Sequence, residues 1–187
     1  MPRAGLDPEI IVRRASALVD VDGVHALTLA RVAAEFGVAT PSLYKHIGGL
    51  DDLLARVAAA ATADLAARLG VAARGRSGRA ALEGIANAYR RFAREHPGTY
   101  PLTQRAVSSA AWEAAASDAV ASVVAALSGY GVEEDDTDRI RFVRAALHGF
   151  VDLERSGGFA LPVSVDESFA FLIDALDETL RALHTKR

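Results

Sequence analysis

Helix start and stop signals divide this chain almost from end to end. That punctuation narrows the fold more than any single motif. Asp7-Pro8 sets a capping carboxylate before a proline at the first helical position and opens a helix to about Asp22. Gly23 stops it. Thr28 caps a short second helix over 29–36, which Gly37 ends. Thr40-Pro41 repeats the cap-plus-proline signal for a third helix over 41–47, broken by Gly48-Gly49. Asp51 caps a long fourth helix to about Leu69, and residues 70–77 (GVAARGRS) read as a linker. Helices over 77–96, 100–107, 109–128 and from the acidic run 133–136 to about Arg155 follow. Ser164 or Asp166 caps a last helix to about Leu183.

Composition agrees with this pattern. The chain has 39 alanines and 6 prolines in 187 residues, and no strand alternation or internal repeat. Alanine is the best helix former and a poor strand former. The reading is all-α with about nine helices: an N-terminal three-helix domain containing a helix-turn-helix, then a helical bundle. The expected divisions are 1–50, a connecting helix over 51–70, and 71–187.

Several function classes drop out. Cysteine is absent, so thiol nucleophiles, disulfides and cysteine metal sites are excluded. There is no G-x-S-x-G, Walker loop or H-E-x-x-H, and His25, His46, His96, His148 and His184 form no i, i+4 pair. The acidic quartet 133–136 lacks the spacing and glycine of a calcium loop. The chain is read as a non-enzyme without cofactor or metal. No apolar run is expected to span a bilayer, the most apolar stretch being 58–61, and residues 1–7 lack the apolar core of a signal peptide. A soluble cytoplasmic protein with no membrane partner is the expectation.

Charge does not announce a nucleic-acid partner, since the formal net charge is −3. Its distribution is uneven. Residues 74–105 carry seven Arg and two Glu, whereas residues 106–187 carry seven basic and fourteen acidic groups.

Residues 28–47 hold the most informative pattern. Gly37-Val38-Ala39 has the length of a helix-turn-helix turn. Ala33 is small where the two helices must approach, and Val32, Phe36, Val38, Leu43 and Ile47 supply apolar contacts. The second helix opens with Thr40, Pro41 and Ser42, the positions that meet base edges in a major groove. Tyr44, Lys45 and His46 end it and suit phosphate. Free backbone N–H groups near Thr28 and Thr40 can hold phosphate without net positive charge. Spacing alone also fits a glycine-turned helix pair in an all-α protein that touches no DNA.

The residues themselves go further. LTLARVAAEFGVATPSLYKHIGGLDDLL, residues 27–54, resembles the DNA-binding domain of the tetracycline-repressor (TetR) family of bacterial transcriptional regulators. Thr28, Val32, Ala33, Gly37, Val38, Leu43, Tyr44, His46 and Ile47 carry the match, within a resemblance over about 7–57. A second stretch, FVRAALHGFVDLERSGGFALP at 142–162, resembles a family C-terminal domain marked by Trp-His-Gly. His148 and Gly149 match there, and Leu147 replaces the tryptophan. The resemblance implies base-facing Thr40, Pro41 and Ser42, phosphate-facing Tyr44, Lys45 and His46, and a capping Thr28 near the backbone. Many relatives place a phosphate-binding lysine before the fourth helix, where this chain has Gly48-Gly49-Leu50-Asp51. Arg3, Arg13 or Arg14 are the alternative cations.

The resemblance further implies a homodimer that binds a double-stranded operator and a small-molecule effector. Effector binding would move the fourth helix and mismatch the half-sites, most simply as repression relieved by ligand. The dimer candidates, at helical spacing on the last two long helices, are Leu147, Phe150, Leu172, Leu176 and Leu180. They fit an intrachain core equally. The pocket candidates are Tyr89, Phe92, Tyr100, Trp112, Phe142 and His148, aromatic bodies with a few polar tips. Each also fits plain core or surface. Arg90, Arg91 and Arg94 read as a solvated face. The alternative function is a helical ligand-binding or protein-interaction module whose helix-turn-helix is idle.

Overall fold

A computed structural model describes residues 6–185. Among these residues are seven α-helices, four short 3-10 segments and no strand. The α-helices are α1 (Pro8–Asp22), α2 (Leu29–Glu35), α3 (Leu50–Ala73), α4 (Gly78–Glu95), α5 (Ala110–Leu127), α6 (Thr137–Arg155) and α7 (Val165–Thr185). The 3-10 segments are Val24–Ala26, Thr40–Lys45, Tyr100–Gln104 and Ser128–Tyr130. The fold is all-α, as the punctuation and alanine content require.

Some caps fall where the residues place them. Asp7 accepts a bond from Glu9 N at 2.8 Å with Pro8 at the first helical position. Ser164 Oγ accepts from Glu167 N at 3.3 Å before α7. Other boundaries differ from expectation. The segment expected as an α-helix over 41–47 is wound as 3-10, its cap position is Ala39, and Thr40 makes no capping bond. Helix α3 begins at Leu50, and the carboxylate that serves its start is Asp52, not Asp51. It also runs through Gly70 to Ala73, which removes half of the expected linker. A Cβ on Gly70 would stand 3.3 Å from Ser122 Oγ. That glycine admits a close neighbour and does not end the helix.

The chain forms two compact units. One comprises the residues up to Asp64 together with His96–Ala116. Its core joins Ile11, Ala15 and Val19 of α1 to Val32 and Ala33 of α2, Leu43 and Ile47, and Leu53 and Val57 of α3.

The other unit comprises Leu65–Glu95 and Ser117–Arg187, in which α4, α6 and α7 pack on one another. Arg90 of α4 stands at their meeting point, only 7% exposed. It donates to both Glu154 oxygens at 2.8 and 2.6 Å and reaches Asp166 at 2.7 Å. Its guanidinium lies 4.5 Å from the Phe169 ring centroid. Arg94 adds a second bond to Glu154 at 2.6 Å. The expectation of a solvated face is therefore corrected for Arg90, while Arg91 and Arg94 are exposed. A second buried tie runs from the Tyr130 hydroxyl to Asp177 Oδ1 at 2.5 Å. Burial and that bond push the Tyr130 phenol well above its ordinary range.

The stretch Ala110–Tyr130 also corrects the sequence reading. It is long and apolar enough to cross a membrane by length and composition, with a mean hydropathy of 1.3. Its apolarity comes mainly from alanine and valine, and Glu113 and Asp118 lie within it.

The Arg90 bonds hold the Glu154 carboxyl below its ordinary value of 4.5, with Arg94 adding to the effect against the opposing cost of burial. A carboxylate depressed on folding stabilises the native state above its unfolded value. That contribution is lost as pH falls through the folded one. Glu154→Gln is expected to lower the melting temperature at neutral pH and to converge with the parent as pH drops below 4.5. Thermal melts across the acid range check this, and parallel curves would contradict it.

Candidate nucleic-acid interface

The helix-turn-helix is assembled by backbone geometry before any side chain reaches outward. Thr28 Oγ1 accepts from Arg31 N at 3.2 Å and opens α2. At its end, Gly37 takes a φ of +63°, in the left-handed region that favours glycine. That turn lets Val38 N fold back to Ala33 O at 3.1 Å, beside Gly37 N to Ala34 O at 3.0 Å. The chain then enters Thr40–Lys45 with Leu43 buried against α2. Ile47 N returns to Leu43 O at 3.0 Å and closes the segment.

Burying Leu43 and Ile47 determines what faces out. Thr28, Pro41, Tyr44 and Lys45 are exposed, Tyr44 by 59%. Thr40, Ser42 and His46 are half-buried. Of the seven candidate DNA residues, four are thus exposed and three are recessed.

Nearby cations serve the fold. Arg14 of α1 pairs with Glu35 of α2, and Arg31 pairs with Asp22. Of the alternative cations, Arg13 is exposed, Arg14 is engaged in that pair, and Arg3 lies outside the described residues. At the start of α3, Gly48 N donates to Asp52 Oδ2 at 2.8 Å. That bond, joined by Arg56 at 2.9 Å, holds Asp52 below the usual carboxylate range. The backbone donor where relatives place a lysine is thereby occupied by the chain's own carboxylate.

The same unit contains a cluster that sequence reasoning missed. Asp20 near the end of α1 accepts from Gly98 N at 3.1 Å, Thr99 N at 2.7 Å and Thr99 Oγ1 at 2.9 Å. His96 Nδ1 lies 2.9 Å from its other oxygen, and His96 Nε2 lies 3.7 Å from Asp64 of α3. Gly98 passes so close to α1 that an added Cβ would fall 1.8 Å from Val19 O. Only the end of the helix over 77–96 was legible, because Asp20 stands 78 residues away from Gly98.

The expected pocket residues differ in depth. Tyr89, Phe92 and Tyr100 are buried, His148 is half-buried, and Phe142 is 41% exposed. Trp112 is half-buried, and its Nε1 is buried without a hydrogen-bond partner among the described residues. Two clefts of the second unit, of about 750 and 340 Å³, are lined by other residues. Of the expected dimer residues, Leu147, Leu176 and Leu180 are closed inside the chain's own core, while Phe150 and Leu172 are half-buried. The apolar side chains that do face outward from α6 and α7 are Phe142, Leu153, Phe171 and Leu183.

Comparison with known proteins places this geometry. Residues 82–176, just over half of the chain, match the domain described as tetracyclin repressor-like, C-terminal. An uncharacterized HTH-type transcriptional regulator of Bacillus subtilis, YobS, is 32% identical over 174 residues, covering 92% of this chain and 91% of that one. A second, Rv0681 of Mycobacterium tuberculosis, is 35% identical over 159 residues, covering 82% and 72%. Among solved structures, a variant TetR of Acinetobacter baumannii AYE in complex with minocycline superposes with a TM-score of 0.70. It is 20% identical and covers 96% of this chain and 98% of that one. The fold and its turn define a helix-turn-helix transcriptional regulator. Within that class, the chain belongs to the tetracycline-repressor-like family.

The Asp20 cluster generates a stability prediction. Asp20→Ala leaves two loop N–H groups without their acceptor and should cost about 3 kcal/mol, within the range for bonds to a charged group plus orphaned donors. Gly98→Ala should destabilise at least as much, because the clash is with backbone. Urea unfolding checks both, and a loss below about 0.5 kcal/mol, the range of ordinary surface changes, would refute the assigned role.

Proposed function

We propose that this regulator is a cytoplasmic homodimeric repressor. It reads a palindromic double-stranded operator and is released by a small-molecule effector. The observation that carries the reading is the outward cluster of Thr28, Pro41, Tyr44 and Lys45 on the Gly37-turned frame, with Thr40, Ser42 and His46 recessed behind it. In such a frame the start of the second helix meets base edges and its end meets phosphate. Residues 1–50 would read DNA, 51–70 connect, and 71–187 sense and dimerise. The protein acts by binding rather than by catalysis.

Two features support the remaining parts. Phe171 is 75% exposed, Leu153 50%, and Phe142 and Leu183 each 41%, an apolar surface on the last two helices that suits a second copy. A related fold, TetR of A. baumannii, is described in complex with minocycline, which supports a ligand-responsive role here. An effector relieves repression only if it favours the arrangement that does not fit the operator.

Genome-wide DNA capture with the purified protein, followed by footprinting of the tightest site, tests the reading. A protected palindrome with half-sites about one helical turn apart is expected. Diffuse binding without a preferred site would favour the alternative of a ligand-binding or protein-interaction module. On the captured site, Lys45→Ala and Tyr44→Phe should weaken binding to all sequences, each lowering the salt slope by about one contact. Thr40→Ala and Ser42→Ala should instead relax base preference at a cost of about 1–3 kcal/mol. Unchanged slopes, or an even loss across sequences, would reassign these side chains.

A further inference from the structure

The larger cleft lies between α3 and α4, wholly within the second unit, and encloses about 750 Å³. Its volume is in the range of small-molecule sites. Three arginines, Arg68, Arg76 and Arg91, line it against a single carboxylate, Glu83. Arg76 and Arg91 come from the basic stretch 74–105, in a chain whose formal net charge is −3.

The three arginines differ in how they are held. Arg68 is paired with Glu95 at 2.5 Å and stacks 5.4 Å from the Phe92 ring centroid. Arg76 donates to Ala72 O at 3.1 Å and has no carboxylate in ion-pair range among the described residues. Its guanidinium lies over Gly84, where a Cβ would stand 2.7 Å from Nη1. Arg91 is exposed and also has no carboxylate in range. Two cations therefore line a cleft whose floor on α4 is Ala80 and Ala88, with Gly84 between them covered by Arg76, and neither alanine offers a side chain beyond a methyl group. Guanidinium forks match carboxylates, and a shallow apolar floor matches a flat ring.

We propose that the α3–α4 cleft binds a planar organic acid, its ring on the alanine floor and its carboxylate between Arg76 and Arg91. The site is independent of the operator reading, because binding is measured directly on the protein without DNA.

Isothermal titration of the full chain with 2-naphthoate, and with its neutral isostere 2-naphthamide, tests this. Saturable binding of one naphthoate per chain is expected. The amide should bind about tenfold more weakly or worse, and added salt should weaken the acid alone. The double variant Arg76→Gln, Arg91→Gln changes two side chains without carboxylate partners and should keep the parent melting temperature. It should lose naphthoate affinity by about tenfold or more. Equal binding of acid and amide would overturn the proposal. So would retained affinity in the double variant, or no saturable heat at millimolar naphthoate. If the double variant melts early, Arg91→Gln alone decides on the same criterion.

Discussion

The contact between Asp20 and the segment His96–Thr99 is the constraint on which the first unit depends. Four donors, two from backbone and two from side chains, converge on one carboxylate. The segment they hold enters this unit directly after α4 ends at Glu95. His96 also approaches Asp64, the residue at which α3 leaves the unit. The segment that follows α4 is thus tied to α1, with Asp64 of α3 close by. Helix α1 in turn supplies Ile11, Ala15 and Val19 to the core on which the helix-turn-helix rests.

The second unit is organised by Arg90 in a comparable way. A guanidinium that is 7% exposed is costly to bury, and the structure answers with a bidentate carboxylate and an aromatic face. Because its partners stand on α6 and at the start of α7, the network fixes the mutual placement of three helices. The arginines of α4 are therefore divided by depth. Arg90 is structural, Arg94 backs it, and Arg91 is left to the cleft.

Much of this was legible in the sequence, and the rest was hidden for identifiable reasons. Asp7, Thr28, Gly37 and Ser164 act through neighbours two to four residues away, so local pattern reveals them. The apolar set Val32, Leu43 and Ile47 was legible because burial follows helical spacing. Residues 40–45 were misread because the cap-plus-proline signal marks a helical start without distinguishing an α from a 3-10 winding. Gly70 looked like a stop, yet its role depends on Ser122 of a distant helix. Asp20, Arg90 and the α3–α4 cleft depend on partners that adjoin only after folding. No spacing rule encodes them.

The 3-10 winding of Thr40–Lys45 changes how this surface can vary. Three residues per turn place positions in columns, with i and i+3 eclipsed. Pro41 and Tyr44 share one outward column, and Ser42 and Lys45 share the next, while Leu43 anchors the inward one together with Thr40. An exchange at one member alters the space and backbone support of its column mate. Along this segment the heritable unit is therefore the pair, and epistasis within each column should exceed that between neighbours in sequence.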